Sequence, residues 1–152
     1  MPKVKSDFPS VVIDVDVYGH KVAVDLAAWA DLLILDPNNI IEQMMKVANQ
    51  YFDIAQYTSC AVARAEHLKQ ALDIWYSEAW SELFSDAAGR GEKQPTVDNA
   101  KATVRANPEY KKRLTVYAEA QEDASMLENA REAIKMKQFM LTKLADAARA
   151  EG

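Results

Sequence analysis

Residues that interrupt regular structure are scarce in this chain, and so are the residues from which most active sites are assembled. Four glycines and five prolines occur in 152 positions, so most of the length is free of breakers and long elements are expected. The single cysteine, Cys60, excludes an intrachain disulfide and a cysteine metal cluster. A reducing cytoplasm fits it. The bulkiest unbroken apolar run is Leu32 to Leu35, far below the roughly 20 residues a membrane span needs. No apolar stretch follows the lysines of Met1-Pro-Lys-Val-Lys-Ser as a leader peptide would require. No membrane partner is expected.

Histidine is as rare as cysteine. His20 and His67 are the only two, and neither has a partner at useful spacing. A di-iron motif needs glutamate three residues before histidine, and here Val17 and Arg64 stand there. HExxH, the P-loop and GxGxxG are all absent. Carboxylates are plentiful but scattered as solvated charge usually is. No catalytic residue, metal ligand or cofactor is assigned, and a binding protein is expected rather than an enzyme.

Residues 11–25 alternate apolar and polar with Gly19 in the middle, which predicts a β-hairpin. Val11, Ile13, Val15 and Val17 would face one way, Asp14 and Asp16 the other. Such a hairpin is marginal in water, so it must pack on helices or on a neighbouring subunit. Asp25 can cap a short helix from Leu26 to Leu35. Asp36 and Pro37 then have the form of an N-cap and first residue of a second helix. From there to Ala88 no glycine or proline occurs, enough for a rod of ~75 Å at 1.5 Å per residue. Its apolar stripe reads Ile41, Met44, Ala48, Tyr51, Ala55, Thr58, Val62, Ala65, Leu68, Leu72, Trp75, Ala79 and Leu83. Phe52, Ile54, Tyr57, Tyr76, Trp80 and Phe84 fall outside it, which implies more than one neighbour. Gly89-Arg-Gly-Glu-Lys-Gln-Pro95 is a loop, Thr96 caps a helix to about Ala106, and Asn107-Pro108 opens a final helix to about Ala150. Tyr110, Leu114, Tyr117, Ala120, Ala124, Leu127, Ala130, Ile134, Leu141, Leu144 and Ala148 line one side of it. Only the first eight residues and the last few are expected to be loose.

The expected fold is therefore mainly α: an N-terminal β-hairpin followed by two long antiparallel helices, a helical hairpin, with short connecting helices, in an oligomer. Residues 1–24 would form a tail and hairpin arm, and residues 25–152 the long-helix domain. Trp75, Tyr76, Trp80 and Phe84 could stack on bases, but their helical spacing favours a core or, together with Phe52, an oligomer interface.

Charge is unevenly divided. Through Ala88 six basic residues face thirteen acidic ones, whereas Gly89 to Arg113 holds seven basic against three acidic. Arg90 and Lys93 on the loop, Lys101 and Arg105 at i and i+4, and Lys111, Lys112 and Arg113 could converge as a phosphate-binding patch. The alternative is a merely solubilising helical surface. In a ring the copies would add through multivalency.

The order of parts resembles a known family. Asp25-Leu-Ala-Ala-Trp-Ala-Asp-Leu-Leu, a long helix rich in aromatics near its end, Gly89-Arg-Gly-Glu, Thr96-Val-Asp-Asn-Ala-Lys-Ala, Asn107-Pro-Glu-Tyr and Lys137-Gln-Phe-Met-Leu-Thr-Lys-Leu-Ala together resemble the bacteriophage UvsY-type recombination mediator proteins over about residues 25 to 148. The resemblance implies a small non-enzymatic protein that forms a homo-oligomeric ring and binds single-stranded DNA. Its implied partners are a RecA-like recombinase and the single-strand-binding protein it helps displace. Members tend to carry several bases before the glycine turn. Here Arg64 and Lys69 stand among Glu66, Asp73, Glu78, Glu82 and Asp86, which moves the expected DNA path toward the loop and the residues after it. The hairpin maps to no family motif. The rival reading is a phage structural or assembly protein, a scaffold or ring component working only through protein contacts.

Overall fold

The computed structural model describes residues 11–152. Alternation and a two-residue turn make β1 (Val12–Val17) and β2 (His20–Asp25) an antiparallel hairpin in which Val17 faces His20 and Ile13 faces Val24. Both turn residues have positive φ, Tyr18 at 51° and Gly19 at 87°, the mirror-image turn that matches strand twist. The Asp16 carboxylate accepts the Gly19 N–H at 2.7 Å and holds the tyrosine there. Ile13, Val15 and Val24 are buried as the alternation requires, but Val11 is exposed, since it lies outside the paired strands and only its carbonyl is engaged, by Leu26 N–H.

Asp25 caps α1 (Leu26–Asp31) by accepting from Ala27 N–H at 3.0 Å. The helix ends four residues before the expected Leu35. The amides of Leu32, Leu33 and Ile34 each bond three residues back, a tightened last turn. That turn directs Leu32, Leu33 and Leu35 against the core.

The second helix, α2 (Ile40–Gly89), begins three residues after the expected Pro37. Asp36 is not its cap but opens a turn, its carboxylate accepting from Asn38 N–H and the Asn39 side-chain amide. The Asn39 carbonyl takes the first helical bond, from Gln43 N–H, and the Gln43 side chain reaches back to Asp36 and Asn39. Two further helices follow, α3 (Val97–Ala106) and α4 (Pro108–Glu151). The expected mainly helical fold, hairpin first and long helices after, is the one observed.

The chain divides into two compact units. Unit 1 comprises the chain through Ala61 together with Asp123–Gly152, and unit 2 comprises Val62–Glu122. In unit 1 the core joins Ile13, Val15 and Val24 of the hairpin to Val47, Ile54 and Ala61 of α2 and to Ala124, Leu127, Ile134 and Leu141 of α4. The described part of the expected N-terminal arm, residues 11–24, thus closes over the helices and shares their core. Residues 1–10, where the expected loose tail falls, lie outside the described residues. Trp29 meets Tyr57 edge-on at 6.4 Å and carries α1 onto the same core.

The stripe on α2 follows the expected one in part in this unit: Thr58 is buried, and Met44 and Tyr51 pack against the core as expected. Val47, Ile54 and Ala61 are buried, one residue before the predicted Ala48, Ala55 and Val62; Ile54 is 0% exposed, while Ile41 is 76% exposed. The α2 surface is shared between α4 and the layer formed by α1 and the hairpin, so the buried face is wider than a single seam and extends to the residues that precede the expected ones. In unit 2 the predicted Ala65 and Leu72 are buried as expected, and on α4 so are Ala120, Ala124, Leu127, Ile134 and Leu141.

Two polar groups enter the unit 1 core. Thr58, 1% exposed, donates its hydroxyl to the Ile54 carbonyl at 2.7 Å and lies 3.2 Å from the Leu127 carbonyl of α4. Lys137 stands between Ile134 and Leu141 on the buried face of α4 and donates Nζ to the Leu32 carbonyl at the end of α1. Burial pushes its pKa below the ordinary lysine value. Its native form therefore gives up the proton more readily than the unfolded chain does, and this penalty on stability is present at neutral pH. The penalty disappears as pH rises from the lowered native value to the ordinary one.

Truncating Leu127 to Ala is expected to cost about 2–5 kcal/mol, whereas Ile41→Ala should stay within about 0.5 kcal/mol; urea unfolding of both variants measures this. For Lys137→Met, the same measurement repeated between neutral and alkaline pH should show wild type gaining on the variant as pH rises. A constant difference would mean that Lys137 is not desolvated.

Candidate nucleic-acid interface

All nine basic residues singled out in the sequence, from Arg64 to Arg113, belong to unit 2, where ten acidic residues accompany them. Local chemistry fixes how the chain presents them. At the end of α2, Gly91 takes φ +66°. Gly91 N–H bonds the Ala88 carbonyl and Glu92 N–H bonds the Ala87 carbonyl, the paired closure of a Schellman cap. Arg90, inside this cap, also donates Nε to the Asp86 carbonyl at 3.3 Å. Thr96 caps α3 by accepting from Asn99 N–H at 3.2 Å, and Asn107 caps α4 by accepting from Glu109 N–H at 2.9 Å, as expected.

The register of α3 follows from Ala100 and Val104, its buried pair. Lys101 and Arg105 are the next residue in each case and are exposed. Lys93, Lys111, Lys112, Arg64 and Lys69 are exposed as well. None of these seven makes an ion pair or a hydrogen bond through its side chain among the described residues. Arg113 is different: half-buried, it donates Nε to Glu109 at 2.9 Å, and its guanidinium lies 5.8 Å from the Trp75 ring centre.

The aromatic residues assigned to an oligomer interface have partners within the unit. Trp75 stacks on Tyr110 at 6.3 Å with 27° between planes, and Tyr76 meets the same ring at 5.9 Å. Trp80 and Phe84 touch at 4.6 Å one turn apart, and the Trp80 indole N–H is buried without an acceptor among the described residues. All four are half-buried. Phe52, the fifth, is in unit 1 and 67% exposed. Tyr110 is the residue whose role the sequence did not disclose. It ties the start of α4 to α2, and the signal available for it was only one apolar position in a helical stripe.

Unit 2 thus offers unpaired cations on α3, on the first turn of α4 and on the preceding loop, held by caps and by an aromatic anchor. It also carries Glu78, Glu82 and Asp86 at i, i+4 and i+8 on α2, which repel phosphate. Among the described residues no three histidine, cysteine or carboxylate side chains gather to hold a metal ion, and no helix is long and apolar enough to cross a membrane.

No family model matches the chain, and no curated protein matches it. A solved structure is similar: that of the recombination mediator protein UvsY of bacteriophage T4, with a TM-score of 0.66 and 12% sequence identity, over 84% of this chain and 95% of that one. At this identity the likeness is one of fold.

The caps can be tested directly. Gly91→Ala forces a Cβ into left-handed backbone and is expected to cost about 1 kcal/mol or more. Gly89→Ala lies at the helical end of α2 with open space around it and should be neutral or stabilising by up to about 1 kcal/mol. Thermal melts of the two variants should separate in that order.

Proposed function

We propose that the protein is a non-enzymatic, single-stranded-DNA-binding recombination mediator that helps load a RecA-like recombinase onto DNA covered by single-strand-binding protein. The observation that carries this reading is the fold shared with UvsY over 95% of that chain. The unpaired cations of unit 2 support it chemically, since single-strand binding without sequence preference needs positive charge along a backbone path.

On this reading Lys101, Arg105, Lys111 and Lys112 contact phosphates, with Arg90 and Lys93 on the loop, and Arg64 and Lys69 at the edge of the path. Arg113 contributes charge while lying over Trp75. The acidic row on α2 turns the strand away from that helix. The protein works as a homo-oligomeric ring in which Trp75, Tyr76, Trp80, Phe84 and Phe52 contribute to subunit contact, and several weak phosphate sites act together. It holds the strand in a form on which the recombinase nucleates and single-strand-binding protein gives way. No bond is made or broken, and no cofactor takes part.

Binding to an oligonucleotide should weaken steeply with salt. Changing Lys101, Arg105, Lys111 and Lys112 together to Ala should flatten the log–log slope by about 3, near 0.7 per phosphate contact. Arg113 is retained in this variant so that the aromatic anchor stays. Strand exchange by a RecA-like recombinase on DNA coated with single-strand-binding protein should then lose its stimulation in parallel. Absence of oligonucleotide binding at low ionic strength would sink the reading in favour of a phage structural or assembly protein.

A further inference from the structure

An apolar groove in unit 1 opens beside the point where the described chain begins. Leu26, Trp29 and Ala30 of α1, with Leu33 just after it, and Met126, Ala130 and Ile134 of α4 line a space of about 190 Å³. All seven are apolar, so their side chains offer no partner to a polar group. Trp29 is braced edge-on by Tyr57 at 6.4 Å and Ile134 is buried in the core, which sets these walls in advance of any occupant. Leu26, Trp29, Leu33, Met126 and Ala130 are half-buried, and Ala30 is exposed.

The register of the hairpin brings the start of the chain to this place. Val12 lies opposite Asp25, and the Val11 carbonyl accepts the Leu26 N–H at 3.0 Å. Because β1 runs antiparallel to β2, the chain that precedes Val11 is aimed the way β2 runs on into α1. Leu26, to which Val11 is bonded, is itself a wall of the groove.

Phe8 stands three residues before Val11 and is the single aromatic residue of positions 1–10. Ser6, Asp7 and Ser10 around it are polar and suited to water, and Pro9 biases Phe8 away from helical angles toward an extended chain. Three extended residues reach about 10 Å, whereas α1 rises only about 6 Å from Leu26 to Ala30. The groove is within reach.

We propose that Phe8 of the same chain fills this groove, with its ring between α1 and α4. Size agrees, since an apolar cavity of roughly 150 Å³ takes a benzene molecule. The tether decides between occupants: a side chain held three residues away is present at an effective concentration in the millimolar range, which a partner protein or a second copy must exceed. Val4 and Met1 lie further along the chain and carry no ring. The contact belongs to unit 1 alone and does not rest on the DNA reading.

Thiol cross-linking and urea unfolding of the full chain test it, the first with Cys60→Ala so that no other thiol competes. A short bismaleimide should join Phe8→Cys to Ala30→Cys within one chain about tenfold faster than it joins Phe8→Cys to Ala28→Cys, which projects from the opposite side of α1. Intact mass separates links within a chain from links between chains. Phe8→Ala should raise the unfolding constant about tenfold or more. The same change should have little effect once Ala30→Asp has set a charge in the groove, and because Ala30 is exposed that background should still fold. Equal rates at Ala30 and Ala28, links that join two chains, or a Phe8→Ala chain as stable as wild type would each overturn the proposal.

Discussion

Every described element of unit 1 depends on one seam, in which Val47, Ile54 and Ala61 of α2 meet Ala124, Leu127, Ile134 and Leu141 of α4. Helices this long have no stability of their own in water beyond a small gain per residue. They persist because each buries a stripe. The hairpin and α1 extend that burial to a second side of α2, and the hairpin in turn is stable only because its Ile13, Val15 and Val24 face is covered. The parts hold one another, and none of them is a spare arm.

Unit 2 is held differently. Its buried residues are few and mostly small, Ala65, Leu72, Ala87, Ala100, Val104 and Ala120, so caps and aromatic contacts carry a larger share. Tyr110 matters here because its ring touches two others, and it stands beside the lysines proposed to contact phosphate. Position and charge are thus supplied by neighbouring residues on one helical turn. Arg113 joins the two roles through Glu109 and Trp75.

Much of this was legible in the residues. Turn and cap chemistry is local, so Gly19, Asp25, Thr96 and Asn107 announced their roles without reference to the rest of the chain. The stripe of α4 was legible because its partners lie on one side. The stripe of α2 in unit 1 was legible in half, at Met44, Tyr51 and Thr58; Ile41, Ala48 and Ala55 continue the same heptad series away from the core, and periodicity alone does not say on which side of that series Val47 and Ile54 are buried. Lys137 escaped notice since a lysine in an apolar stripe reads as a border residue until the Leu32 carbonyl beside it is known. The basic residues were visible as a cluster in sequence; their freedom from ion pairs depends on side-chain placement and was not.

The reversal from α2 into α4 has a bearing on how the chain reaches its native form. The Schellman closure at Gly91, the Thr96 cap and the Asn107 cap join atoms no more than five residues apart. Contacts so near in sequence close without waiting for distant parts of the chain to meet, and a topology rich in them crosses its folding barrier quickly. The bend is thus suited to close before the pairing of residues as far apart in sequence as Thr58 and Leu127.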